Sequence, residues 1–169
     1  MNRDELRSLQ APLKDRYVDE PDAARVNLSA SAELGEGISC KVATGGKLAA
    51  AGLHPATGGD GTHLCSGDML LEALAACAGV TMRAVSTSIG VKVEGTVRAE
   101  GELDFRGTLG VDRAAPVGFA DIRLRFELDA PDAEDEQLAT LLKLTERYCV
   151  VLQTLRAAPP VTATLQRTS

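Results

Sequence analysis

The 169-residue chain has no tryptophan, two tyrosines and three phenylalanines, an aromatic content of 3%. That removes the stacking platforms on which single-strand nucleic-acid binders depend. Positive charge is also in short supply. Eighteen Lys+Arg stand against 24 Asp+Glu, a net charge of −6, so no cationic field collects phosphates and nucleic acid is not an expected partner. Long apolar runs are missing as well. The longest, Ala73 to Val80, falls far short of the ~18 residues that mark a membrane span, so no membrane partner is expected. The opening Met1-Asn2-Arg3-Asp4-Glu5-Leu6-Arg7 lacks the apolar core of a signal peptide, and the cytoplasm is the expected location. The four cysteines, Cys40, Cys65, Cys77 and Cys149, show no CxxC spacing, which argues against a zinc ribbon or a disulfide scaffold. Neither a Walker spacing nor a helix-opening GxGxxG is present, so Gly58-Gly59-Asp60-Gly61 reads as a turn and no cofactor is expected.

What is there suits one domain. At this length a chain buries about 70% of its unfolded surface, and residues 23–169 are expected to form the domain behind an arm of residues 1–22. In the arm, Asn2 and Glu5 have capping-box spacing ahead of Leu6 and Leu9, which predicts a short helix interrupted at Pro12. Residues 14–22 read as linker.

Alternating apolar residues predict a strand over 25–33 (Val26, Leu28, Ala30, Ala32) and another through Ile38, Cys40 and Val42. Gly45-Gly46 reads as a hairpin turn into Leu48–Leu53, and residues 54–66 as a loop. From Asp68 to Ser88 the pattern is helical and apolar on nearly every side, which predicts a helix buried all round. Ala73, Cys77, Thr81, Ala84 and Ser88 form a stripe of small side chains on one of its faces, where a neighbour would approach closely. Two long alternating runs, Val91–Phe105 and Ile122–Leu128, predict antiparallel strands with one wet face. Asp132 is expected to cap a second helix through Leu138, Leu141, Leu142, Thr145 and Tyr148, with a break near Cys149. Pro159-Pro160 should end it, and Val161, Ala163 and Leu165 predict a last strand. The expected class is α+β, an antiparallel sheet on a helical layer. A helix apolar on all sides needs cover on both faces, which points to a homodimer sharing it.

Chemistry is sparse outside the cysteines. His63, Cys65 and Cys77 offer three ligands where a structural zinc takes four, so no metal site is expected. Glu72 lies five residues before Cys77, about 140° around a helix, and reads as a solvent-facing or ion-paired residue. His54 reads as a loop residue.

The element order and the two cysteine contexts, Ala75-Ala76-Cys77-Ala78-Gly79 and Arg147-Tyr148-Cys149-Val150-Val151, resemble the OsmC/Ohr family of osmotically inducible and organic hydroperoxide resistance proteins. The resemblance runs over about Arg25 to Leu165. Gly58-Gly59-Asp60-Gly61-Thr62, Leu70-Leu71-Glu72-Ala73-Leu74-Ala75-Ala76-Cys77 and Cys149-Val150-Val151 with Leu155 carry it. It implies an intertwined homodimer that reduces organic hydroperoxides, with Cys77 attacking the peroxide, Cys149 resolving it and an external dithiol regenerating the pair.

The chain departs from the family pattern at three places. Where the peroxidases carry an Asn-Pro-Glu element it reads His63-Leu64-Cys65-Ser66-Gly67-Asp68-Met69, which leaves Asp68 as the carboxylate that would orient the site. Where they place an arginine in the first turn it reads Leu34-Gly35-Glu36-Gly37. Val150 and Leu152 stand where the family has Pro and Ser after the second cysteine. With no cation nearby, desolvation is expected to raise the Cys77 pKa and suppress the thiolate. The alternative function is a family member without peroxidase activity that binds a small apolar ligand at the dimer interface.

Overall fold

The computed structural model describes residues 1–35, 38–44 and 47–167. Glu36-Gly37 and the Gly45-Gly46 turn, together with residues 168–169, lie outside the described residues. Helix α1 (Arg3–Asp19) starts at the expected capping box, Asn2 accepting from the Glu5 N–H and Glu5 from the Asn2 N–H. It does not stop at Pro12. The helix runs through the proline and takes up most of the segment expected as linker, because Leu, Arg, Gln and Lys on either side are good helix formers that offset one missing N–H. A 3-10 turn, Pro21–Ala24, follows.

A four-stranded sheet comes next: β1 (Ala32–Leu34), β2 (Ser39–Thr44), β3 (Lys47–Gly52) and β4 (Leu64–Cys65), in that spatial order. The first three strands are antiparallel and β4 runs parallel to β3. Of the strand expected over 25–33, Ala32 and Glu33 enter β1. Residues 25–31 alternate correctly, yet Leu28 is 92% exposed, so the apolar face finds no surface to bury against within one chain. The expected loop 54–66 also contains structure, a 3-10 turn at Pro55–Thr57 and β4 itself.

Helix α2 (Ser66–Ile89) is the spine of the fold. Its 24 residues are long and apolar enough to cross a membrane by length and composition, which the shorter run Ala73–Val80 did not suggest. It packs instead on β5, α4 and α5. Gly90 ends it at φ 76, its N–H returning to the Ser86 and Thr87 carbonyls, a left-handed cap that glycine adopts without strain. The hairpin β5 (Glu94–Leu103) and β6 (Phe119–Asp129) lies against it, with a bulge where Leu103 pairs with Phe119. Gly95 in β5 has φ 139, and a Cβ there would collide with the Glu127 carbonyl. A single helical turn, α3 (Phe105–Thr108), opens the connection between the two strands.

Helix α4 (Asp135–Tyr148) is capped by Glu134, whose backbone N–H reaches the Gln137 side chain, and not by Asp132. Helix α5 (Val150–Arg156) follows after the expected break at Cys149. The last strand does not form. Residues 157–167 have no regular structure and Leu165 is 99% exposed.

Two connected cores result. Met82 and Val85 of α2 meet Val91, Val93 and Leu141 under Phe126 and Leu128. Leu74 and Ala78 meet Cys149, with Cys77, Val97, Ile122, Leu124, Leu152 and Leu155 around them. Helix α2 is therefore buried along one side only, since Val80 on the other is 72% exposed. The fold is α+β as expected, in two separate sheets.

Candidate functional site

The site sits where α2 passes the α4–α5 break. Cys149 takes φ −72 and ψ 105, leaving the helical region for one residue. Its N–H closes α4 on the Thr145 carbonyl at 3.0 Å, and its carbonyl accepts the first α5 bond from the Gln153 N–H at 2.9 Å. Thr145 is itself fully buried, its hydroxyl donating to the Met82 sulfur at 3.8 Å. The bend is clamped from outside by Arg156 on Glu146 at 2.8 Å and by the Gln153 side chain on the Glu146 carbonyl at 2.7 Å.

The break frees the N–H groups of Val150 and Val151 from the α4 ladder, since the first amides of a helix have no intrahelical acceptor. Both favour the charged form of Cys77, half-buried on α2. The Cys149 thiol and the Thr81 hydroxyl act in the same direction. Burial by itself pushes the Cys77 thiol up. The donors outweigh it, Val151 first, and the group is held below its ordinary value. This corrects the expectation of a raised pKa, which counted desolvation and the missing cation but not the amides. Cys149 behaves oppositely. It is fully buried, and burial raises its pKa against the Leu152 N–H, with the neighbouring Cys77 adding to the rise. All four cysteines are free thiols.

Other expected site residues lie elsewhere. Asp68 is in the first turn of α2, exposed. It precedes Cys77 by nine residues, about 14 Å along the axis and about 180° around it, so within one chain it does not orient the thiol. Cys65 immediately precedes α2. Twelve residues of helix put it about 18 Å from Cys77, well beyond the ~7 Å Cα separation a disulfide allows. Cys40 pairs with Ala51 and Ala51 with Leu64. Cys65, the next residue, therefore projects from the opposite face two strands away, about 9.5 Å off. Glu72 is exposed, as expected. The His54 ring accepts from the Ala56 N–H and stacks on Phe105 at 4.9 Å, while His63 meets the Thr62 hydroxyl at 3.0 Å. No cluster of three or more metal-binding side chains occurs among the described residues.

Residues 59–164 match the family model described as OsmC-like protein, more than half of the chain. The chain belongs to the OsmC-like family. No match was found among curated proteins. Among solved structures the OsmC-like chain is similar to an OsmC-like protein from Mycoplasma pneumoniae, with TM-score 0.65 and 17% identity over 79% of this chain and 89% of that one. It is also similar to an OsmC-like protein of unknown function from Vibrio cholerae, with TM-score 0.62 and 13% identity over 77% and 94% of the two chains. An organic hydroperoxide resistance protein from Elizabethkingia anophelis matches with TM-score 0.59 and 15% identity over 80% and 91%. At these identities the likeness is one of fold.

Thr81 and the two amides escaped the sequence reading as site groups. Thr81 was visible only as part of the small-residue stripe, although a hydroxyl four residues after a helical cysteine is a hydrogen-bonding position in its own right. The break at Cys149 was visible, but not the donors it releases.

Proposed function

We propose that this OsmC-like protein is a thiol-dependent peroxidase that reduces organic hydroperoxides through Cys77 and Cys149. The observation that carries the reading is that the half-buried Cys77 packs against the cluster holding the fully buried second thiol, Cys149. A Cys77 thiolate attacks the terminal oxygen of ROOH. The O–O bond breaks, the departing alkoxide takes a proton to give the alcohol, and Cys77 becomes a sulfenic acid. The Cys149 thiol then displaces hydroxide from that sulfur, releasing water and forming the disulfide. An external dithiol reduces the disulfide by two exchange steps and leaves as its own disulfide. Steady-state turnover of tert-butyl hydroperoxide with a panel of dithiols tests the reading. Turnover with a dithiol supports it, and none with any dithiol at neutral pH contradicts it.

The working unit is a homodimer in this reading. Val80 on the open side of α2, Val26 and Leu28 before β1, and Val161 and Leu165 at the C-terminal end are exposed in one chain, and a second copy would give this apolar surface cover. Sedimentation at micromolar concentration should give twice the 17.7 kDa chain mass.

A second reading has one observation in its favour. Between β6 and α4–α5 lies an open groove of about 840 Å³, lined by Phe119, Ile122, Phe126, Leu142 and Leu155 among others. In that reading the protein binds a small apolar ligand and the cysteines are packing residues.

A further inference from the structure

We propose that Glu146, Gln153 and Arg156 are positioning residues that hold the helix break at Cys149, so that the Cys149 thiol is already placed for closure onto Cys77. The use made of that closure rests on the thiol chemistry proposed above, whereas the clamp itself is read from the hydrogen bonds around the break. In an uninterrupted helix the Val150 N–H would return to the Glu146 carbonyl, four residues earlier. Cys149, at ψ 105, breaks the ladder there. The Gln153 side chain supplies a substitute, its Nε2–H donating to the Glu146 carbonyl at 2.7 Å. A second grip falls on the same residue, where the Arg156 guanidinium donates to the Glu146 carboxylate at 2.8 Å. Ten residues along a straight helix stand about 15 Å apart, so this pair forms because the chain bends.

Cys149 lies between the gripped residue and the two that grip it. Its N–H ends α4 on the Thr145 carbonyl and its own carbonyl accepts the first α5 bond, while its side chain is fully buried in the cluster against which Cys77 packs. Helix α5 is seven residues long and has no fully buried residue. A helix that short is marginal by itself, so its angle to α4 depends on what ties it down. Both contacts tie it to Glu146 across Cys149. Fixing one partner in place before a bond forms favours closure, because the freedom that closure would remove is already gone.

The test is the disulfide equilibrium of the full-length chain in glutathione buffers, read by peptide mapping of the Cys77–Cys149 crosslink with no hydroperoxide present. Two thiols and one oxidised glutathione give the crosslink and two reduced glutathiones. Gln153→Ala combined with Arg156→Ala should lower the equilibrium constant about tenfold, or about 30 mV for a two-electron couple, through the loss of one hydrogen bond and one exposed ion pair. Arg156→Ala alone should lower it about threefold, and exchanging the charges in Glu146→Arg with Arg156→Glu should restore the parent value. A clamp that only supports the fold would lower thermal stability in both redox forms and leave the constant unchanged; that result overturns the proposal, as does a parent chain whose Cys77 and Cys149 never crosslink. A charge exchange that restores nothing overturns the part assigned to the ion pair. A shifted constant in a chain that reduces no hydroperoxide upholds the clamp and removes the peroxidase reading, whereas an unchanged constant beside intact turnover does the converse.

Discussion

The stretch before Ser66 and the stretch from Ser66 to Arg156 carry equally good apolar patterns, yet they end up differently. Among the described residues, Ala51 is the one buried side chain before Ser66, while Leu74, Ala78, Met82, Val85, Leu141 and Cys149 are all buried in the second stretch. The second region is organised by α2, which gives β5, β6, α4 and α5 a common surface. Among the described residues of the first, α1 and β4 reach α2, and the apolar side chains Val26, Leu28, Leu34 and Ile38 stay exposed. An alternating pattern states which face of a strand is apolar and is silent on what covers it. Cys77 lies on α2 between the side packed on Cys149 and the side left open at Val80.

The sharpest way to break this comparison is to remove the chemistry from the well-packed region. Cys77→Ser should abolish hydroperoxide reduction. Cys149→Ser should allow one turnover and leave a sulfenic acid that dimedone traps, because attack needs one thiolate and recycling needs two sulfurs. Undiminished turnover in both variants would remove the cysteines from the mechanism.

Packing itself gives the next largest difference. Leu141 is fully buried in the core beside Met82 and Val93, so Leu141→Ala should destabilise the chain by about 2–5 kcal/mol in urea unfolding. Leu28→Ser, at an exposed position in one chain, should change stability by under about 0.5 kcal/mol unless a second copy covers it. In that case the variant should dissociate at concentrations where the parent remains dimeric in sedimentation.

The legibility of the sequence follows the same divide. The α+β class, α2, the β5–β6 hairpin, α4 and the break at Cys149 could all be read from periodicity, because each buries its apolar face inside the chain. The strand over 25–31 and the last strand through Val161 and Leu165 could not, since an alternating pattern does not say which sheet edge takes it up, and Leu28 and Leu165 stay exposed. Pro12 was overrated as a stop because α1 is exposed and its flanking residues favour helix. At the site, the two cysteines were readable through their sequence contexts. Asp68 stands about 14 Å along α2 from Cys77 within one chain, a separation that sequence nearness hides, and the direction of the Cys77 pKa differs from expectation because backbone donors leave no mark in composition.

A smaller effect separates the two thiols of the site. Cys77 is held below its ordinary pKa, first against burial and then by the Val151 N–H and its companions, whereas burial raises Cys149. A thiol reacts as its thiolate, so as pH rises Cys77 should alkylate first and reach its plateau while Cys149 is still protonated. Time-resolved peptide masses across pH check the order, and the reverse order contradicts the assignment of attacking and resolving roles.

The smallest effects belong to the first region. Cys40 is half-buried in β2 and Cys65 lies beside α2 without reach to Cys77. Replacing both with Ala should leave hydroperoxide turnover largely intact, with Cys40→Ala lowering stability by about 1 kcal/mol in thermal unfolding.

The pairing of Cys77 with Cys149 is the centre of the account, and peptide mapping of the parent protein after one equivalent of organic hydroperoxide tests it most directly. The expected product is a Cys77–Cys149 crosslink within one chain, with Cys40 and Cys65 still alkylatable. A Cys65–Cys77 crosslink, or Cys77 left unmodified while peroxide persists, would contradict it.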